Sequence, residues 1–430
     1  MAEALLIDVP PQLGPSLATP RQIVGVVAGN ALEFYDFTVF GYFAPQIGAA
    51  FFPHGSATTT TLLAWGTFFT AFLARPLGAV VLGSVADRHG RKTAMTLSIL
   101  LMTLGTLALT VTPGFARIGL VAPLVIVAGR VMQGFSAGGE FGGATAFMLE
   151  HGTGRRGFMA SFQFTSQAVS TIAGAGAAYA TSLMLSPQAL HDWGFRLPFM
   201  LGLLIGPVGW YLRRHAAETP VFTRAGPAER PAIDALRHYP GRILLAAGTI
   251  AAGTSGTYIA IYLPSYAQQE LHMAAPASFA VPLIGALVAL VITPLSAILS
   301  DHVGRFWPAI VGAVLLVLGS YPAFLLISAV PHFAMLLTVM IVLIGVRAAY
   351  SAPLPALMGE IFPPGVRGVG MSAGYSLGVM VFGGLTPLAS KWLIDLTQNR
   401  TIPGIYLSVC GLITLASLII IARRVPLQRD

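Results

Sequence analysis

The segment GSVADRHGRK, residues 83–92, decides the architecture because the chain contains it twice. A degraded copy, AILSDHVGR, stands at residues 297–305 and places Asp87 and Asp301 214 residues apart. Each copy ends a long apolar stretch. A second pair of related segments, with glutamates 210 residues apart, consists of EHGTGRRG (150–157) and EIFPPGVRG (360–368). Two repeats at nearly the same offset indicate that the chain consists of two halves built on one plan.

The composition is that of a membrane protein. Of the 430 residues, 55% are hydrophobic and only 9% are charged, whereas soluble domains carry about 25% charged residues. Runs such as LLMTLGTLALTV (residues 100–111) are too apolar for a surface in water, and about 20 such residues cross a bilayer as a helix. The first 21 residues lack the basic and apolar regions of a cleaved signal and are expected to form a cytoplasmic tail.

Hydropathy and punctuation by glycine, proline and charge predict twelve membrane-spanning helices, called spans 1 to 12. The predicted spans cover residues 22–50, 61–86, 93–112, 119–149, 158–184, 195–213, 242–270, 278–300, 306–329, 333–361, 367–396 and 401–422. The predicted fold is an all-α membrane protein with two six-helix bundles, 22–213 and 242–424, joined by a linker at 214–241 and ending in a tail at 425–430. Such a plan is typical of a transporter whose site lies between the halves.

The positive charges are distributed unevenly between the loops. Seventeen of the 24 lysines and arginines lie on one side of the predicted membrane, three on the other and four inside spans. By the positive-inside rule, both termini and the linker lie in the cytoplasm, as in a bacterial inner membrane. The same distribution explains the net charge of +8 without a nucleic-acid partner, because the cations form no basic, aromatic-interleaved surface.

The pattern excludes metal and enzyme chemistry. The only cysteine, Cys410, lies in an apolar run, and the nine histidines show no metal-binding spacing. We find no nucleophile–base constellation. The sequence therefore predicts no metal, no cofactor other than a coupling proton, and no catalytic site.

Residues 83–92 resemble, at every fixed position, the loop 2–3 signature of the major facilitator superfamily. The resemblance implies a cytoplasmic gate, in which an aspartate flanked by cations latches one conformation; the alternative is that the cations only set the topology. The second copy has His302 where a cation is usual, which puts a latch in the C-terminal half in doubt. The implied gate residues are Gly83, Asp87, Arg88, Gly90, Arg91, Glu150, Arg156, Asp301, Arg305, Glu360 and Arg367.

A narrower resemblance covers nearly the whole chain. Segments similar to the metabolite:proton symporter family are GNALEFYDF, ARPLGAVVLGSVADRHGRK, GRVMQGFSAGGEFGGA, RLPFMLG, RRHAAETPVF and FGGLTP. This family includes carriers of citrate, tricarballylate, α-ketoglutarate, shikimate and proline or betaine. The segments around GRVMQGF and FGGLTP are most similar to the citrate and tricarballylate carriers, which implies proton-coupled symport of a di- or tricarboxylate.

Two carboxylates, Glu33 and Asp36, lie three residues apart inside span 1 and share one helical face. An ionised side chain at the bilayer centre costs roughly 2.5–3.5 kcal/mol, so both must face a cavity, carry a proton or be paired. Arg130, Gln133 and Glu140 form one stripe on span 4. In related superfamily members a span 1 aspartate and a span 4 arginine form a proton-sensitive pair, which Asp36 and Arg130 resemble. We predict proton coupling by the four charged residues; the alternatives are a structural ion pair and, for Glu140, a helix–helix tie.

Arg347, near the middle of span 10, is the strongest candidate for contact with an anionic substrate, because a guanidinium can grip a carboxylate with two hydrogen bonds. The alternative is an internal ion pair with Glu33 or Glu360. For Lys391 the alternative is an ordinary helix pair with Asp395. The predicted substrate-binding residues are Asn30, Arg130, Gln133, Gln163, Gln167, Tyr258, Arg347, Tyr350, Tyr375 and Lys391.

The residues and the resemblance together predict a secondary transporter that moves a small organic anion with a proton across the bilayer. A zwitterion carrier of the proline or betaine type is the alternative within the same family, although a quaternary amine prefers an aromatic cage to an arginine. A ligand sensor without flux would need a signalling domain. We expect a monomer, but the residues do not decide the oligomeric state or the exact substrate.

Overall fold

The computed structural model describes residues 20–53, 55–89, 91–138, 140–150, 155–203, 206, 235, 237–363 and 366–426. Helices cover the predicted spans within this part of the chain. In the N-terminal half they are Pro20–Tyr42 and Ala44–Phe51 (span 1), Ala57–His89 (span 2), Arg91–Val111 (span 3), Val121–Ala137 and Glu140–Glu150 (span 4) and Arg156–Met184 (span 5). Span 6 begins with the 3-10 turn Gly194–Arg196 and is helical at 197–203 and at Gly206. Short helices, Phe115–Ile118 and Pro187–Asp192, lie between spans.

The C-terminal half repeats this order. Its helices are Pro240–Thr249 and Ala251–Gln269 (span 7), Ala275–Val303 (span 8), Phe306–Ala329 (span 9), Phe333–Ser351 and Leu354–Ile361 (span 10), Arg367–Val379 and Leu385–Thr397 (span 11) and Ile402–Arg424 (span 12). A π-helical turn, Met380–Gly384, joins the two parts of span 11. Span 7 bends by 45° between its two helices.

The length and hydropathy of the described helices identify fewer spans than the twelve predicted from the sequence. Among the described residues, six helices are long and apolar enough to cross a membrane, and the bent pair of span 7 is a seventh. Span 5, with 29 residues, is long enough but too polar to qualify. Its polarity reflects buried side chains such as Gln163 and Gln167, which face other helices and not lipid.

The two bundles meet along a seam in which spans of one half contact spans of the other half. Span 5 lies along span 8, span 2 lies along span 11, and span 1 contacts span 7. Small residues allow close approach within and between the bundles. A Cβ on Gly134 of span 4 would overlap the backbone of Ala71, and one on Gly142 would overlap Gly368 and Ser372 of span 11. The seam therefore places spans 1, 5, 7, 8 and 10 around the centre of the molecule.

Candidate functional site

A central cavity of about 40 Å³ lies between the bundles. Its main lining residues are Phe34, Tyr42, Phe164, Gln167, Thr171, Thr257, Ile261, Thr293, Arg347 and Ser351. Since a water molecule needs roughly 10–15 Å³ of such volume, the cavity has room for a few waters. A di- or tricarboxylate could enter only if the bundles separate.

Arg347 is the charged group of this cavity among the described lining residues. Its Nη1 donates to Thr257 Oγ1 at 2.7 Å, and its Nε has no hydrogen-bond partner in the described part of the chain. Neither carboxylate considered from the sequence pairs with it, because Glu33 pairs with Arg75 and Glu360 with Arg305. A partly buried guanidinium on a cavity wall, with no counter-ion among the described residues, is suited to bind an anion.

The amides of span 5 contribute neutral polar groups on the opposite side. Gln167 lines the central cavity, and its Nε2 donates to Tyr375 Oη at 3.3 Å. Gln163, one turn nearer the cytoplasm, is fully buried, and both its amide atoms lack partners among the described residues. Tyr258 and Tyr375 line a smaller adjoining cavity with Gln167. The ring of Tyr375 stacks on Phe141 of span 4, with centroids 3.4 Å apart.

Asp36 lies inside the N-terminal bundle and is 4% exposed. Its Oδ2 accepts a hydrogen bond from Thr106 of span 3 and one from Gln133 Nε2 at 3.4 Å. Arg130 does not contact Asp36 directly. Instead Arg130 Nη1 donates to Gln133 Oε1 at 2.7 Å, so Gln133 links the two charges. The predicted pair is therefore a bridged pair, and Thr106 is a member that the sequence analysis missed.

Aromatic rings enclose Arg130 and separate it from the central cavity. The guanidinium carbon lies 4.5 Å from the ring centroid of Phe37, 4.4 Å from Phe40 and 5.1 Å from Phe68. Cation–π contact of this kind stabilises a desolvated arginine. Arg130 and Gln133 are thus placed with Asp36 and do not line the central cavity, although they were also predicted to bind substrate.

Glu33 pairs with Arg75 of span 2, and both side chains are buried. This geometry corresponds to the structural ion pair considered for the carboxylates. Arg75 also lies over the rings of Phe37 and Phe72, at 5.2 and 5.4 Å from their centroids. The Glu140 side chain lies outside the described residues.

Three predicted substrate-binding residues lie elsewhere. Asn30 ties span 1 to span 5 by donating to Gln163 O at 2.9 Å and Ser166 Oγ at 2.8 Å. Tyr350 points into the C-terminal bundle, where its hydroxyl donates to Thr249 O. Lys391 pairs with Asp395 at 2.7 Å, as the alternative reading expected, and with Glu270 of span 7 at 2.9 Å. None of these three lines the central cavity.

The degraded copy of the repeat joins the two bundles on the side that is predicted to be cytoplasmic. Asp301 Oδ1 accepts from Gly157 N at 2.8 Å, and Oδ2 accepts from Phe158 N at 3.0 Å. An anion at a helix N-terminus is favourable, because free N–H groups and the helix dipole both stabilise it. Asp301 belongs to span 8 and the amides to span 5, so the contact joins the two bundles.

Arg305 completes this cytoplasmic latch. Its Nη1 lies 2.5 Å from Asp301 Oδ1, and its Nε donates to Glu360 Oε1 of span 10 at 3.1 Å. His302 stands where a cation is usual, but this difference does not prevent a latch in the C-terminal half. The contacts of the latch are made by Asp301 and Arg305.

Most of the N-terminal gate residues are not described at side-chain level. Gly90, the surroundings of Gly83 and the side chains of Asp87, Arg88, Arg91 and Glu150 lie outside the described part of the chain. Arg156 and Arg367 occupy the first positions of the helices of spans 5 and 11, which are equivalent places in the two halves.

Polar and aromatic contacts join the two bundles on the opposite side, which is predicted to face outward. Gln269 Nε2 of span 7 donates to Thr61 Oγ1 of span 2 at 3.1 Å. Trp65 packs on Tyr262, with ring centroids 5.6 Å apart, and Phe43 packs on Phe279 at 5.3 Å. Among the described residues, these contacts close the seam on both sides of the central cavity, and the cavity is occluded in that sense.

Two bundles around an occluded, arginine-bearing cavity define a secondary transporter of the alternating-access type. Residues 26–373 match the model of the Major Facilitator Superfamily, and the chain belongs to that superfamily. It is a multi-pass membrane transporter and not an enzyme, and its fold is the twelve-helix, two-bundle fold of the superfamily.

Relatives with named substrates cover most of the chain. A citrate-proton symporter of Klebsiella pneumoniae is 36% identical over 91% of this chain and 90% of its own length. A proline/betaine transporter of Escherichia coli (strain K12) is 32% identical over 92% of this chain and 82% of its own. Among solved structures, a D-xylose-proton symporter has a TM-score of 0.74 at 17% identity, covering 94% of this chain and 98% of that one. That structural similarity supports the fold alone.

Proposed function

We propose that the protein is a proton-coupled symporter of a small organic anion, a di- or tricarboxylate such as citrate or tricarballylate. The observation that carries the proposal is Arg347, a partly buried cation on the wall of the central cavity with no described carboxylate partner. Relatives named as citrate-proton symporters at 35–36% identity support the substrate class.

In this proposal the substrate binds between the two bundles, and the proton binds within the N-terminal bundle. Arg347 of the C-terminal bundle holds a carboxylate of the substrate, and Gln167 of the N-terminal bundle hydrogen-bonds to the same molecule once the bundles close around it. Asp36 carries the proton. Gln133 and Thr106 hold its carboxylate, and Arg130, reached through Gln133, favours its ionised form. A change in this link between the outward and inward states would let Asp36 take up a proton outside and release it inside.

The proposal places the protein in the cytoplasmic membrane of a bacterium, as a monomer with both termini inside and no cofactor besides the proton. It is tested by uptake into proteoliposomes under an imposed pH gradient, with a panel of citrate, tricarballylate, α-ketoglutarate, shikimate, proline and betaine. Accumulation of a di- or tricarboxylate that collapses with the pH gradient is expected. Accumulation driven equally well without a gradient would contradict proton coupling.

A carrier of a zwitterion such as betaine is the second candidate. The rings of Phe34, Tyr42 and Phe164 line the same cavity as Arg347, and a quaternary ammonium group binds aromatic faces. The related proline/betaine transporters also support it. Uptake of betaine or proline alone from the panel would establish this candidate and exclude the first.

A further inference from the structure

A second cavity, of about 30 Å³, lies wholly within the N-terminal bundle between spans 1, 3, 4 and 6. It shares no lining residue with the central cavity. Two carboxylates, Glu33 and Asp36, and the hydroxyls of Ser98, Thr106 and Ser136 line it. Its volume would hold about two water molecules. A polar, water-sized space that avoids the substrate cavity needs its own explanation.

Asp36 points an unpartnered oxygen into this space. Oδ2 is hydrogen-bonded, whereas Oδ1 is buried and has no partner among the described residues. A Cβ placed on Gly202 of span 6 would lie 3.1 Å from Oδ1, so that oxygen faces the gap that Gly202 leaves in the cavity wall. A buried carboxylate oxygen without a donor is costly unless water or a proton reaches it.

The cavity extends from Asp36 towards the cytoplasm. On span 3 its lining runs from Thr106 back to Ser98, eight residues or about 12 Å of helix. Span 3 starts on the cytoplasmic side, so Ser98 marks the inner end, where its hydroxyl lies 2.8 Å from that of Ser136. On span 6 the lining includes Gly206, which lies beside Thr103 of span 3.

The charged and titratable groups around Asp36 are consistent with transfer in this direction. Glu33, one turn inward, is already neutralised by Arg75. Arg130 reaches Asp36 only through Gln133. The Tyr35 hydroxyl is engaged with Pro198 O of span 6 at 2.7 Å. No described ionic group therefore blocks the inner end of the cavity.

We propose that this N-terminal cavity is the route by which the proton carried on Asp36 reaches the cytoplasm, separately from the substrate. The inference rests on the proposed function of Asp36 as proton carrier. Water in the cavity accepts the proton, which leaves Asp36 as a carboxylate, and passes it on along the hydroxyl-lined wall. The substrate meanwhile leaves through the seam between the bundles.

The test fills part of the N-terminal cavity with a side chain and leaves both Asp36 and the central cavity unchanged. Gly206→Val places a side chain in the cavity, since even a Cβ there would lie 3.2 Å from Thr103 Oγ1. The matched control is Gly319→Val on span 9, where a Cβ would meet no atom within 4 Å. Each variant is assayed for pH-driven uptake and for counterflow, in which unlabelled anion inside exchanges for labelled anion outside.

Counterflow does not require proton release, because the loaded carrier can return with Asp36 still protonated. We expect Gly206→Val to lose at least about tenfold in pH-driven uptake, or about 1.4 kcal/mol, while its counterflow stays close to that of Gly319→Val. Unimpaired pH-driven uptake in Gly206→Val would overturn the proposal.

A loss of both activities in Gly206→Val is resolved by the smaller Gly206→Ala. Reduced uptake with normal counterflow in that variant supports the route, and wild-type uptake overturns it. If the wild-type protein exchanges no organic anion at all, the proposed function has failed, which the counterflow assay of the wild type reports independently of any plug.

Discussion

Two arginines inside the spans, Arg130 and Arg347, have different surroundings: Arg130 is fully buried and Arg347 is partly buried. Arg130 is held by Gln133 and three aromatic rings, whereas Arg347 lines a cavity and has one hydrogen bond, to Thr257. A fully packed arginine is structural or tunes a neighbour. An arginine on a cavity wall has donors left for a ligand, so the two side chains should respond differently to substitution.

We expect Arg347→Gln to lower kcat/KM for uptake by about 100-fold, because removing one partner of a buried charge pair costs about 2–5 kcal/mol. Arg347→Lys retains the charge but loses the two-pronged geometry, and we expect an intermediate loss expressed mainly in KM. Initial rates of labelled-anion uptake over a concentration series measure both. An unchanged KM in Arg347→Lys would count against direct contact with the substrate.

Asp36→Asn should abolish accumulation against a gradient and leave counterflow active, since asparagine keeps the shape and the acceptor for Thr106 but cannot carry a proton. The measurement is uphill uptake and counterflow in the same vesicle preparation. Glu33→Gln is the matched control, because Glu33 is tied to Arg75; it should reduce the amount of folded protein more than the coupling. Proton-driven accumulation by Asp36→Asn at the wild-type level would remove Asp36 from the mechanism.

At the scale of helices, the latch depends on how the end of one helix meets the start of another. Asp301 at the end of span 8 accepts from the first free amides of span 5, and Arg305 ties it to Glu360 of span 10. Three helices from both bundles are therefore joined by one carboxylate. Removing the charge of the Asp301 carboxylate should therefore favour the state that is open to the cytoplasm.

We expect Asp301→Asn to increase the opening of the cytoplasmic side. The charge contribution of a carboxylate at a helix N-terminus is about 0.3–2 kcal/mol, which corresponds to a two- to thirtyfold change in the open population. The rate of thiol labelling from the cytoplasm at Ala160→Cys, a buried position of span 5, measures the opening; Cys410 is first replaced by alanine.

His302→Ala is the control for this experiment, because His302 is exposed and makes no contact in the described latch. Its labelling rate should match that of the parent. Equal labelling in Asp301→Asn and His302→Ala would mean that the latch does not hold the bundles together.

At the scale of the whole molecule, the order of the spans and their division into two halves could be predicted from the sequence. The contacts between side chains of different spans could not. The repeat of residues 83–92 at 297–305 and the apolar periodicity are enough to place twelve spans in two halves, because both depend on local composition and chain order. Which polar side chains meet across helices depends on helix rotation, which single-residue patterns leave open. The Glu33–Arg75 pair and the role of Thr106 therefore became visible only in the structure.

The same limit explains why the predicted site residues lie in different places in the structure. Arg347 and Gln167 were predicted on the grounds that polar groups in a span face a cavity, and the structure places both on one. Tyr350 and Lys391 satisfied the same rule but found partners inside the C-terminal bundle. A polar residue in a span needs an internal partner or a ligand, and only geometry tells which one it has.

The outer contacts provide a test of alternating access in the whole molecule. Thr61 and Gln269 form a hydrogen bond across the seam, so Thr61→Cys with Gln269→Cys should form a disulfide under oxidising conditions. The single native cysteine, Cys410, is buried and gives a low background. We expect the cross-linked protein to lose transport and to regain it with a reducing agent.

Each single-cysteine variant serves as the control and should transport under both conditions. Undiminished transport by the cross-linked double variant would mean that spans 2 and 7 do not separate at their outer ends during the cycle.

The small volume of the central cavity has a consequence for the step in which the empty carrier returns to the outward-facing state. A solute of six or more heavy atoms has no place in a space of about 40 Å³, so a carrier with its seam closed in this way holds no such solute. An empty carrier that can seal both ends returns to the outside without opening a continuous water path, and the proton gradient is not dissipated on the return stroke.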